Sequence, residues 1–174
     1  MRCIRNRVYC IVGAVLAIGV LSCTALLSAE PHAEEPRATS SHVDGSTLDR
    51  GRYLLRIAGC NDCHTPGYQQ SAGAVDESQW LTGDAIGWQG PWGVTYPPNL
   101  RLFVQNVTVA QWLQAARRPM RPPMPWFALR DMTDEDLAAI YHYIRSLGPA
   151  GAPAPTYLPP GESPRTPVNR VASE

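Results

Sequence analysis

The chain has 174 residues, 44% of them hydrophobic and 17% charged, with a formal net charge of zero; that length holds one ordinary domain with tails, not two. All 15 basic residues are arginine, and Arg2, Arg5 and Arg7 lie in an opening segment without acids, so the rest carries 12 arginines against 15 acids, about −3. A nucleic-acid partner leaves a basic footprint, and its absence excludes that class.

Residues 1–22 read as an export signal. Arg2, Arg5 and Arg7 form the positive start, and the apolar run from Ile11 to Leu21 carries no charge. It ends in Val20-Leu21-Ser22-Cys23, the pattern of a lipoprotein signal in which Cys23 is lipidated and becomes the new N-terminus. Two other readings stand: cleavage after Ala29 into a soluble protein, or retention of the uncharged stretch from Val8 to Ala29 as an uncleaved membrane anchor. All three put the folded part on the periplasmic side of a bacterial membrane. Residues 23–45 lack periodicity and read as a flexible tether.

The domain is expected over 46–149. Its first helix starts at Ser46, Thr47 or Asp49 and runs through Tyr53, Leu54, Ile57 and Ala58, with Gly59 closing it. Residues 66–107 are rich in Gly, Pro and Trp and show no sustained helical period. A short helix follows near Thr108, with Trp112, Leu113 and Ala116 on one face. Thr133-Asp134-Glu135-Asp136 forms a capping box, Thr133 as N-cap and Asp136 three residues on, with Met132 and Leu137 as the hydrophobic staple. Leu137, Ile140, Tyr141, Ile144 and Leu147 then make one apolar stripe, stopped by Gly148-Pro149. Residues 150–174 are proline-rich and read as an extended, largely disordered tail.

Cys3 and Cys10 fall in the leader and Cys23 is the candidate lipid site, leaving Cys60 and Cys63. Cys60-Asn61-Asp62-Cys63-His64 is a C-x-x-C-H motif. Two thiols three positions apart at a helix end face the same way, and each can add to one vinyl group of a haem. His64 then points at the iron as proximal ligand. A zinc site wants a second ligand pair and a redox dithiol an alternating β-α context; neither is present. A low-spin electron carrier also needs a sixth ligand, usually Met or His. Met1 is the initiator and Met132 serves the staple, which leaves Met120 and Met124. Proline on both sides of Met124 fixes the backbone and lowers the entropy lost on ordering the loop. Met124 is the favoured ligand, Met120 the alternative, and gap-filling core the remaining reading for both. His32 and His42 lie in the tether, and His142 lies off the apolar stripe.

Gly51-Arg52-Tyr53-Leu54 leading into Ala58-Gly59-Cys60-Asn61-Asp62-Cys63-His64-Thr65-Pro66 resembles the class I c-type cytochromes. So does Met124-Pro125-Trp126-Phe127 followed by Met132-Thr133-Asp134-Glu135-Asp136-Leu137. Both segments are similar to cytochrome subunits that accept electrons from bacterial periplasmic dehydrogenases. The resemblance spans residues 49–149. It implies an all-α, cytochrome c-like helical domain around one covalently bound haem, with first and last helices crossing near Gly51 and Tyr141. It also carries the distal-ligand role onto Met124. The Trp/Gly/Pro-rich insert over 67–100, with Trp80, Trp88, Trp92 and Tyr96, departs from a minimal member.

For that insert two readings stand: its aromatics cover a haem face and donate to the propionates, or they replace missing core. Arg101 either pairs with a propionate or is solvated. Arg117, Arg118 and Arg121 either ring the haem edge and steer acidic partners or are ordinary helix-end arginines. The expected function is single-electron transfer by haem c, without catalytic residues, to or from a redox protein: a dehydrogenase donor, a terminal oxidase or another cytochrome. A haem enzyme or gas sensor with an open sixth position, and a structural subunit anchoring a dehydrogenase, are the competing classes.

Overall fold

The computed structural model describes residues 43–171. The leader, Cys23, His32, His42 and most of the tether fall outside the described residues. The elements in order are α1 (Gly45–Ile57), α2 (Cys60–His64), a 3-10 turn (Glu77–Gln79), β1 (Gly87–Gly90), β2 (Gly93–Thr95), α3 (Leu100–Gln105), α4 (Val109–Ala116), α5 (Trp126–Asp131), α6 (Asp134–Ser146) and β3 (Val168–Arg170). No helix among the described residues is long and apolar enough to cross a membrane.

The first helix begins earlier than expected. Asp44 is its N-cap, and its carboxylate accepts from the Thr47 N–H and from the Ser46 and Thr47 hydroxyls at 2.8–2.9 Å. The helix buries Leu54 and Leu55 against Leu137, Ile140 and Ile144 of α6, the centre of the core. Gly51 sits where the two helices cross: a Cβ there would run into the Ala139 carbonyl and come 2.8 Å from Tyr143 Cβ. Tyr141, expected at the same crossing, faces the other way. It packs on Trp112 of α4 and donates its hydroxyl to the Val107 carbonyl at 2.9 Å.

The capping box at α6 is half formed. Thr133 Oγ1 accepts from the Asp136 N–H at 3.1 Å. The Asp136 carboxylate turns instead to Arg50 of α1 in a bidentate pair at 2.9 and 3.0 Å, because two charge-assisted bonds outweigh one backbone N–H. The complete reciprocal box stands at α4, between Thr108 and Gln111.

The insert adds a small sheet to the helical core. β1 and β2 pair antiparallel with Trp88 opposite Thr95, and β3 joins β1 in parallel with Trp88 opposite Asn169. The tail is extended, as its prolines imply, but it is not free. Asn99 Nδ2 holds the carbonyls of Ala150 and Ala152 at 2.8 and 3.1 Å, Leu158 bridges to Val94, and β3 covers an edge of β1. An unpaired sheet edge recruits any strand that reaches it, and a chain kept extended by proline reaches it at low entropic cost.

Candidate haem site

Gly59 ends α1 in the left-handed region at φ 70°, and α2 carries the C-x-x-C-H residues. A buried polar chain locks this turn in place. Thr65 Oγ1 donates to Asn61 Oδ1 at 2.8 Å and accepts from the Leu81 N–H at 2.8 Å, while the Gly83 N–H donates to the His64 carbonyl at 2.9 Å. Residues 60–64 therefore rest on the insert as well as on α1.

Cys60 and Cys63 are free thiols. Both line one cavity of about 590 Å³ together with His64, Met120, Met124 and Met132, a volume in the range of cofactor sites. Its walls are largely apolar, built from Leu55, Trp112, Leu129, Ile140 and Ile144 beneath the helices and Trp88 and Tyr96 from the insert. Burial pushes the Cys60 thiol up to about 12, and burial followed by the charges of Asp62 and Asp84 raises Cys63.

His64 is buried, which pulls its imidazole below the ordinary value, with the Pro98 carbonyl acting the other way. Its Nδ1 lies 2.9 Å from that carbonyl oxygen. A hydrogen bond there sets Nδ1 as donor and leaves Nε2 as the free lone pair, the arrangement a metal-bound histidine needs. Pro98 has no side-chain signature of such a role; its carbonyl does the work.

The loop leading to Met124 is tied at three points. Arg117 at the end of α4 donates to the carbonyls of Leu129, Arg130 and Met132 and pairs with Asp134 at 2.5 Å. Thr95 Oγ1 donates to the Pro122 carbonyl at 2.6 Å, and the Trp126 N–H to the Met124 carbonyl at 2.8 Å. Arg117 is therefore internal bracing and not part of a steering ring. Arg121 stacks on Tyr157, and Arg118 stays exposed.

The insert aromatics divide between the two readings. Trp88 and Tyr96 line the cavity. Trp80 is core, with its indole N–H on the Val75 carbonyl at 2.9 Å. Trp92 is half-buried outside the cavity wall. Arg101 fits neither expectation. It is only 5% exposed and donates to three carbonyls, those of Ser78, Leu147 and Gly148. His142 is half-buried on α6, its ring edge-on to Tyr141.

Two thiols, a buried imidazole and thioethers around one apolar cavity inside a helical shell define a c-type cytochrome. Residues 48–148 match the family model described as Cytochrome c, and the chain belongs to that family. Membership implies covalently bound haem c and a role as electron carrier, not as a catalyst in its own right. The chain is 34% identical over 139 residues to the fructose dehydrogenase cytochrome subunit of Gluconobacter japonicus, covering 72% of this chain and 26% of that one. It is 27% identical over 119 residues to the cytochrome c subunits of the alcohol dehydrogenases (quinone) of Gluconacetobacter polyoxogenes and Komagataeibacter europaeus, covering 62% of this chain and 23% of each. The chain thus spans about a quarter of the length of these curated relatives. No solved structure matches it significantly.

Proposed function

We propose that this chain binds one haem through Cys60 and Cys63, ligates its iron with His64 and Met124, and passes single electrons between redox proteins outside the cytoplasm. The observation that carries the reading is the convergence of those four side chains on one cavity of about 590 Å³. A bound haem supplies the one-electron ferric/ferrous couple. The chain's own part is to hold the ring by two thioethers, orient the His64 imidazole through the Pro98 carbonyl, and keep water from the cavity with Leu55, Trp112, Ile140 and Ile144. Met124 is favoured because proline stands on both sides of it and its own backbone is held at both ends, its N–H on the Arg121 carbonyl and its carbonyl by the Trp126 N–H. Histidine–methionine ligation in an apolar site favours a relatively positive potential.

Donation from a dehydrogenase, with this chain as its acceptor or subunit, is the reading that the named relatives support. The leader pattern of residues 1–22 supports export, with a lipid on Cys23 as the form of attachment. Intact-mass measurement of the exported protein tests the covalent hold on haem: it gains the mass of one haem, retained after acid-acetone extraction, and Cys60→Ala/Cys63→Ala loses it. A chain that releases its haem to the solvent, or gains none, contradicts the reading.

A further inference from the structure

After α6 the tail returns to the cavity. Tyr157 lines it, and the Arg121 guanidinium lies over its ring, 4.0 Å from the centroid. The Tyr157 hydroxyl donates to the Trp92 carbonyl at 2.7 Å. The next residue, Leu158, exchanges two backbone hydrogen bonds with Val94, at 2.8 and 3.0 Å. The approach is so close that a Cβ at Gly93 would collide with the Leu158 carbonyl. Further on, β3 pairs with β1, and the Val171 N–H reaches the Gln89 carbonyl at 2.9 Å. Tyr157 is thus a post fixed to the β1–β2 ribbon. Arg121, which leans on it, stands three residues before Met124, and its carbonyl accepts from the Met124 N–H at 3.3 Å.

We infer that the C-terminal tail is a strap for the distal-ligand loop, and that Tyr157 is a positioning residue that holds Met124 at the cavity through Arg121. The inference rests on the reading of Met124 as distal ligand. A thioether is a weak ligand, so its hold depends on how rarely the loop opens. The ring–guanidinium contact disfavours opening. Removing it raises the open population, and an outside ligand that binds only the open form then binds more tightly by the same factor.

The test is imidazole titration of the ferric holoprotein, read from the near-infrared charge-transfer band of thioether ligation, in wild type, Tyr157→Phe, Tyr157→Ala and Arg121→Gln. Met124→Ala is the reference. Tyr157→Ala and Arg121→Gln are each expected to lower the half-replacement concentration by roughly three- to tenfold. Tyr157→Phe keeps the ring and the Leu158 backbone bonds but loses the hydroxyl tie, so it falls between wild type and Tyr157→Ala, and the Tyr157→Ala/Arg121→Gln double variant is no worse than either single one. Unchanged midpoints in both single variants overturn the strap, even if melting temperature falls, since that marks a contact that only stabilises the fold. Equal loss in Tyr157→Phe and Tyr157→Ala overturns the ring contact as the latch. Should Tyr157→Ala fail to take up haem, Arg121→Gln at an exposed position carries the test alone. If Met124→Ala keeps the band and the wild-type midpoint, the ligation reading itself falls and the strap with it, a failure read from a variant outside the tail.

Discussion

Arg101 Nε donates to the Gly148 carbonyl at 2.6 Å, just beyond the end of α6, while the same guanidinium holds the Leu147 and Ser78 carbonyls. A buried arginine thus completes the C-terminus of the core helix and joins it to the turn at Glu77–Gln79. Helix ends leave carbonyls without internal partners, and a planar five-donor fork satisfies several at once. Arg101→Met should leave the Ser78, Leu147 and Gly148 carbonyls short of a donor and cost about 1–3 kcal/mol in urea denaturation of the holoprotein. Arg101→Lys, with one compact ammonium, should recover less than half of that. Near-wild-type stability of Arg101→Met would show that the carbonyls find other donors.

Gly51 makes the crossing of α1 and α6 possible. Alanine is the better helix former by about 1 kcal/mol, yet its methyl would collide with the Ala139 carbonyl. Gly51→Ala is therefore expected to destabilise by about 1–3 kcal/mol net. Gly45→Ala in the same helix, with nothing within 4 Å, should be neutral or stabilising. Equal effects at both positions would place the crossing elsewhere.

Glu77 is held below the ordinary glutamate range, first by its bonds to Arg52 and then by the Tyr143 hydroxyl. A depressed acid pKa contributes stability that is full above the unfolded value, about 4.3, and is lost as pH falls through the lower folded value. The urea midpoint should therefore drop as pH falls below about 4.3, and Glu77→Gln should flatten that drop. Both partners are more than a third exposed on their side chains, so the contribution is modest and shrinks in high salt. Identical acid limbs in wild type and Glu77→Gln would remove Glu77 from the account.

The C-x-x-C-H motif could be read from the sequence because Cys60, Cys63 and His64 fall within one five-residue stretch. α6 was legible because its stripe and its cap lie within one stretch of chain. What the sequence hid are bonds to backbone carbonyls and long-range pairings. Pro98, which orients His64, carries no side-chain signature, and neither do the three carbonyls that make Arg101 structural. Asp136 looked like half of a local box because its competitor, Arg50, is 86 residues away. The tail's prolines read as an extended, largely disordered segment. They were silent about the strand edge that the insert offers, because a ribbon of Gly, Trp and Val reads as loop until its partner is known. Arg117 looked free for the same reason: its acceptors are carbonyls at the α5–α6 junction.

The claim on which everything turns is that Met124 completes the coordination begun by His64. The most direct measurement is the absorption spectrum of the purified holoprotein, oxidised and reduced, in wild type and in Met124→Ala. The account predicts a low-spin spectrum with thioether ligation in wild type and a high-spin spectrum in the variant, with the haem still covalently held. A wild type that is already high-spin, or a spectrum indifferent to Met124→Ala, would contradict it.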